Sequence, residues 1–263
     1  MSAVQLVACN AGCKLTSEDS IAAFIDSFPR ADGIFVPEFN VSIYDSNPYE
    51  MFLPGVRIHI WNPGPGSFNC AWIVRESVES AFLKFTGLGR TASVIFRAAS
   101  GHKLICIGAH VAHGFEAQQT LHELSAQSHV ASRGDRVAIV GDLNIDLLPV
   151  SSLDPFSHLP QRQHKHRDRR SMLYTFLDSN HLCINEPAVV LSVPSDAHDY
   201  LYFVPATRLP QGNQSGVASL LDCCLSSEGL VKNSWICWTS SPSDHAAVGY
   251  ELDVSIVTHR ATG

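Results

Sequence analysis

Short apolar runs separated by turn residues follow one another along almost the whole chain, and they limit the possible folds. Runs near 3–9, 33–37, 56–61, 69–75, 92–97, 103–110, 136–142, 187–193, 199–204, 219–226, 234–239 and 246–254 read as β-strands. Helical periodicity is confined to three stretches. Ile21, Phe24, Ile25 and Phe28 follow the i, i+3, i+4, i+7 rule, which predicts a helix over 17–28 capped by Thr16, with Asp19 three residues on. Ala117, Leu121 and Leu124 share one face of a helix over 115–131, and Leu173, Phe176 and Leu177 point to a short one near 171–179. Many strands and few helices argue against a doubly wound fold, in which the two alternate. The pattern predicts two packed sheets with helices outside. No repeat or linker divides the chain, so 1–263 reads as one domain.

The chain can support such a core. Of 263 residues 45% are hydrophobic and 16% charged, which excludes disorder as the main state. No apolar run approaches the roughly 18 residues of a membrane span. The eight cysteines are spread from Cys9 to Cys237, mostly inside apolar runs, as reduced buried thiols would be. The N-terminus enters an apolar strand without a basic leader, so no signal peptide is read and an intracellular location is expected. The formal net charge is −7, which excludes a wholesale electrostatic grip on nucleic acid. A polyanion would need a local basic patch or metal ions. The densest patch is Arg162, Lys165, Arg167, Arg169 and Arg170, which follows Pro155 and Pro160 and reads as a loop. It is either a solvated surface segment or a phosphate-contacting one.

Polar residues with chemical potential recur at strand ends. Val137-Ala138-Ile139-Val140-Gly141 ends in Asp142 and Asn144, two residues apart and so expected on one side of the strand. A carboxylate and an amide there suit a hard cation or an attacking water. Taken alone, Gly-Asp-x-Asn is more often a turn closed by an Asx hydrogen bond. Asp244 and His245 offer a carboxylate and a titratable imidazole before the last strand. Glu38, Asn10 and His110 each stand at or just beyond a strand end. Asp222 sits inside an apolar run, where it needs a partner, and a histidine is a natural one.

The order of these pieces, above all Val140-Gly141-Asp142-Leu143-Asn144 and Ser243-Asp244-His245, resembles the endonuclease/exonuclease/phosphatase superfamily. The resemblance runs from about residue 3 to 253. It implies an α+β four-layer sandwich of two packed mixed β-sheets flanked by helices, as in deoxyribonuclease I. It implies a divalent ion, magnesium or manganese, on Glu38 with Asn10 and Asp244 close by. Asp142 and Asn144 would position the water and the phosphate. His245, oriented by Asp222, would hold the phosphate or act as base, and His110 would serve as acid or phosphate ligand.

The sequence departs from the family pattern in places. Pro37 stands where Gln commonly precedes the metal glutamate, and Cys223-Cys224 replace an aromatic and a bulky aliphatic residue. His110 stands where abasic endonucleases carry Tyr, and Val140 and Leu221-Asp222-Cys223 do not fit the inositol-polyphosphate 5-phosphatases. The resemblance therefore implies a metal-dependent phosphodiesterase, first of all an endonuclease of retroelement type acting on nucleic acid, DNA ahead of RNA, with no membrane partner. Such a domain can belong to a longer polyprotein with a reverse transcriptase. The alternatives are a lipid or small-molecule phosphodiesterase on the same fold, and a degenerate domain that binds without catalysis.

Overall fold

Strands that are apolar on both faces need a cover on each side, and a four-layer arrangement supplies it. The computed structural model describes residues 3–40, 49–63, 68–111, 116–145, 147, 161–192, 207–208, 220–238 and 241–254, without the side chains of 80, 161–167, 190 and 192. One sheet runs in space from β11 (Val189–Ser192) through β13 (Val231–Cys237), β14 (Ala247–Asp253), β1 (Ala3–Ala8), β2 (Gly33–Phe39), β5 (Asn69–Arg75) and β4 (Val56–Trp61) to β3 (Tyr49–Leu53). The other runs from β10 (Leu182–Asn185) through β12 (Asp222–Ser227), β9 (Arg136–Asp142), β8 (Lys103–His110) and β7 (Thr91–Arg97) to β6 (Phe82–Leu88). Both sheets are mixed: β1 is parallel to β2, and β8 is parallel to β9, among antiparallel neighbours.

Side-chain alternation sorts the core into layers. Along β8, Leu104 and Cys106 join the cluster between the sheets, with Leu6, Phe35, Trp72, Val140 and Tyr250. Ile105, Ile107 and Ala109 join an outer cluster with Leu121 and Leu124 of α2 (Glu116–Ser128) and Leu173, Phe176 and Leu177 of α3 (Gln161–Asn180). Ile21, Phe24 and Ile25 of α1 (Glu18–Asp26) cover the outer face of the first sheet against Ile34, Ile58 and Ile73. Each fully buried aliphatic or aromatic side chain contributes roughly 1.5–3 kcal/mol.

The structure corrects the sequence reading at three kinds of place. The cap of α1 is Ser17, not Thr16, and its reciprocal partner is Ser20, not Asp19: Ser20 N–H donates to Ser17 Oγ and Ser17 N–H to Ser20 Oγ. Strands β3, β6 and β10 carry no clear apolar pattern because they are sheet edges, half covered and half exposed. The basic segment is not a loop but the first half of α3. Arg, Gln and Lys are good helix formers, and Pro160 precedes the first turn instead of interrupting it. The strand expected at 199–204 lies outside the described residues.

One contact sets the register of the two sheets at the end where the polar residues gather. A Cβ on Gly108 would lie 2.0 Å from the Phe35 ring, and one on Gly141 would lie 2.2 Å from the Ala109 carbonyl and 2.9 Å from the same ring. Only glycines admit the ring into this notch, and Gly141 also has φ +133. Phe35 is three residues before Glu38, Gly108 two before His110, and Gly141 immediately before Asp142. Locking Phe35 against the second sheet thus brings these strand ends to a common place.

Candidate active site

Register places the second sheet's contribution. His110 on β8 pairs with Asp142 on β9, and Asp142 pairs with Asp222 on β12, so the three stand abreast. Their inward neighbours, Cys106, Val140 and Cys224, lie between the sheets, so period 2 turns all three side chains into the inter-sheet end. The first sheet and the segments beside its strands supply the rest: Glu38 in β2, Asn10 just after β1, and Asp244 and His245 just before β14.

These groups form one continuous polar chain. His110 Nε2 lies 3.6 Å from Glu38 Oε1. The Asn10 amino group donates to Glu38 Oε1 at 3.2 Å and to Asp142 Oδ2 at 3.1 Å. Asp142 Oδ2 lies 3.8 Å from His245 Nε2, and His245 Nδ1 is 2.9 Å from Asp222 Oδ2. Atoms of Asp142, Asp222 and His245 all fall within 4.8 Å of one another. A charged imidazole bridging two carboxylates accounts for that compactness.

Burial decides the charges. Asp222 is 1% exposed, and desolvation pushes its carboxyl up to about 6, with His245 pulling the other way. Burial works most strongly against a charged His245, but the Asp222 carboxylate, with Asp142 and Asp244 behind it, raises the imidazole to about 9. At neutral pH the two are an ion pair, as the apolar setting of Asp222 suggested.

Backbone strain marks two of the positions. Glu38 occupies a β-bulge between Pro37 and Phe39 with φ 54, and Asn144 has φ 50. Left-handed backbone at a non-glycine residue costs about 1–3 kcal/mol and persists only where surroundings impose it. For Glu38 the imposing contacts are hydrogen bonds from Ala11 N–H to the Pro37 carbonyl and from Cys13 N–H to the Glu38 carbonyl. Pro37 fits because its nitrogen lies on the same strand edge as that carbonyl, away from the ladder to β5. The expectation that Asp142 and Asn144 share a strand face does not hold, because β9 ends at Asp142. Asn144 N–H instead donates to Asp142 Oδ1 at 2.9 Å, an Asx turn, and its amide donates to the Val111 carbonyl at 2.8 Å.

Two residues sit differently from what a ligand role asks. The Asn10 side-chain oxygen Oδ1 accepts from Gly12 N–H at 2.9 Å, so Asn10 turns its amino group to the carboxylates and clamps them. Asp244 Oδ2 is held by Arg208 Nε at 3.1 Å. Of the basic segment, Arg169 donates to the Asn144 carbonyl at 3.2 Å, which brings α3 to the site. Arg170 lies one residue further along α3, and the side chains of Arg162, Lys165 and Arg167 lie outside the described residues.

The sequence reading missed the braces around His245. Thr207 is fully buried, and its hydroxyl accepts from both Leu221 and Asp222 N–H at 2.9 Å while lowering the Asp222 pKa. Arg208 forms an isolated antiparallel bridge with His245. Ser243 Oγ donates to the Asn10 carbonyl and accepts from His245 N–H at 3.2 Å. The run Ser240-Ser241-Pro242-Ser243 signalled only a polar loop, and nothing near Thr207 marked it.

No family model matches the chain, and no curated protein matches it in sequence. Solved structures do match in fold. The AP endonuclease LMAP from Leishmania major superposes with TM-score 0.68 at 11% identity, over 96% of this chain and 88% of that one. The endonuclease domain of TRAS1, a telomere-specific non-LTR retrotransposon, gives TM-score 0.60 at 13% identity, over 97% of this chain and 100% of that one. An AP endonuclease from Archaeoglobus fulgidus gives 0.60 at 14%, over 95% and 99%. The chain therefore has the deoxyribonuclease I-like α+β sandwich fold.

Proposed function

We propose that this chain is a divalent-metal-dependent phosphodiesterase that cuts nucleic acid as an endonuclease, acting over 1–263 as one domain. The observation that carries the reading is the unbroken polar chain from His110 through Glu38, Asn10, Asp142 and His245 to Asp222, gathered from both sheets. The fold's solved neighbours, named as endonucleases, agree with it. The donor set suits a hard cation. Glu38 and Asp142 present carboxylate oxygens around one amide. Glu38 and Asp142 would hold magnesium or manganese, with Asn10 joining if its amide turned over. When bound, the ion would neutralise charge growing on the phosphoryl oxygens.

The chain's own residues do the rest. Asp222 fixes the His245 tautomer and keeps a proton on the ring, so that Nε2 can donate to a phosphate oxygen or pass that proton on. Asn144 and Asp142, tied in one turn, orient the phosphate and the water. His110, beside Glu38, is placed to protonate a leaving oxygen. His110 also favours a retroelement-type endonuclease over an abasic-site one, and DNA is the first substrate to test.

A substrate panel tests the assignment: supercoiled plasmid, single-stranded RNA, sphingomyelin and inositol polyphosphate, each with magnesium and with chelator. Plasmid nicking that needs the metal is expected, and turnover of only sphingomyelin or inositol phosphate would overturn the nuclease reading. Because the site is a rim on a large apolar core, metal should matter little for folding. Chelation is expected to abolish nicking while leaving the far-ultraviolet circular dichroism and the cooperative melt nearly unchanged.

The basic first half of α3 has its own expected result. Arg169 reaches the Asn144 carbonyl, so this helix stands beside the cleft. Replacing Arg167, Arg169 and Arg170 with Ala should weaken nucleic-acid binding and flatten the salt slope by about 0.9 for each duplex phosphate that is no longer neutralised. Turnover of a very short substrate should hardly change when Arg167 and Arg170 alone are replaced, since Arg169 also holds the Asn144 carbonyl. A filter-binding salt titration checks both, and an unchanged slope would make the segment a solvated face.

A further inference from the structure

We infer that Arg208 is a phosphate ligand of this centre, a fork held beside His245 by Asp244; this rests on the phosphodiesterase reading above. Three observations carry it. First, Arg208 bridges His245 across an antiparallel pair, which puts their Cβ atoms about 4.5–5.5 Å apart. The bridge is fixed on both sides, since Ala246 N–H donates to the Thr207 carbonyl at 2.7 Å and the Thr207 hydroxyl is tied to β12. Second, the guanidinium is anchored by Nε alone, 3.1 Å from Asp244 Oδ2, and its terminal amino groups have no partner among the described residues. Third, its side chain is 48% exposed while the His245 side chain is 7% exposed, so the arginine stands at the rim above a buried imidazole.

An arginine whose Nε is fixed keeps its outer fork free and oriented. Two parallel N–H donors match two phosphate oxygens, which a lysine ammonium cannot reproduce. Holding the side chain in place beforehand also removes much of the ordering cost of binding. In a chain of net charge −7, the approach to Glu38, Asp142 and Asp222 repels a phosphate unless a cation meets it there. Arg208, its Nε already paired with Asp244, offers its outer N–H donors to the phosphate on the His245 side, whether or not a metal ion is bound.

Binding in chelator isolates this contact from the metal. The experiment is fluorescence anisotropy of a labelled short DNA duplex with the full chain in EDTA, over a range of salt, for wild type, Arg208→Ala, Arg208→Lys and Arg57→Ala. Arg57 pairs with Glu79 in another part of the structure and serves as a charge-matched control. Arg208→Ala is expected to bind about tenfold more weakly, with a salt slope shallower by about 0.9. Arg208→Lys should recover the slope but not the affinity, and Arg57→Ala should match wild type. Melting curves confirm that each variant is folded, and Arg208→Lys keeps the test decisive should the alanine variant unfold. Wild-type affinity and slope in Arg208→Ala, with plasmid nicking intact in wild type, would overturn the assignment of Arg208 alone. A wild-type chain that neither binds nor nicks DNA would overturn the nuclease reading and Arg208 with it.

Discussion

Asp222→Asn lowers the nicking rate by about 10²–10⁴-fold, the range of a missing acid–base contribution, and His245→Ala added to it costs little more. The expectation follows from how the pair is built. Asp222 is buried and its Oδ2 lies 2.9 Å from His245 Nδ1. Burial opposes a charged imidazole, and the Asp222 carboxylate leads the attractions, with Asp142 and Asp244, that raise it to about 9, so the proton on His245 rests chiefly on Asp222. An asparagine keeps the shape but carries no charge, and it can turn either an oxygen or an amino group to the ring. The imidazole then loses its defined tautomer and its reason to stay charged. Since Asp222 reaches the substrate only through His245, the two losses do not multiply. Single-turnover rates for both single variants and the double variant check this, and independent, multiplying losses would separate Asp222 from His245.

The second large effect is on stability. Gly141→Ala should destabilise the fold by about 3–5 kcal/mol, among the severe single substitutions. Its φ is +133, and a Cβ there would meet the Ala109 carbonyl at 2.2 Å, a backbone atom of the neighbouring strand that cannot step aside. It would also press on the Phe35 ring, at 2.9 Å, which aligns the two sheets at the site. Gly55→Ala is the comparison. That glycine has φ +77 with nothing within 4 Å of a Cβ, so only backbone strain of about 1–2 kcal/mol is expected. Urea unfolding of the two variants measures the difference. Equal midpoints would mean that the notch around Phe35 relaxes freely.

Interior strands were legible in the sequence because both their faces are covered. β9 and β8 read as unbroken apolar runs, and the structure gives them at 136–142 and 103–110 as expected. Edge strands such as β3 and β6 were not, because exposure mixes polar residues into them without a period. α3 was cut short because its apolar stripe begins only at Leu173, while its first half is polar all round. At the site, Asp222 announced itself as a charge inside an apolar run and has the histidine partner it required. Thr207 and Arg208 were unreadable, since Thr207 matters through its hydroxyl's hold on Leu221 and Asp222 N–H and Arg208 through a bridge to His245 across 37 positions, not through any local pattern. The turned amide of Asn10 was equally invisible, because it depends on Gly12 N–H.

The central claim is that the constellation around Asp142 is a phosphodiester-cutting centre. The most direct measurement is conversion of supercoiled plasmid to open circle by wild type and Asp142→Asn side by side in magnesium or manganese. Asp142 accepts from Asn10 and Asn144 and neighbours His245, so the substitution removes one charge at the junction of the whole chain. Wild type should nick, and Asp142→Asn should leave the plasmid intact while melting and binding DNA as wild type does. A wild-type chain that leaves the plasmid supercoiled in both metals, or an Asp142→Asn variant that nicks as fast as wild type, would contradict the account.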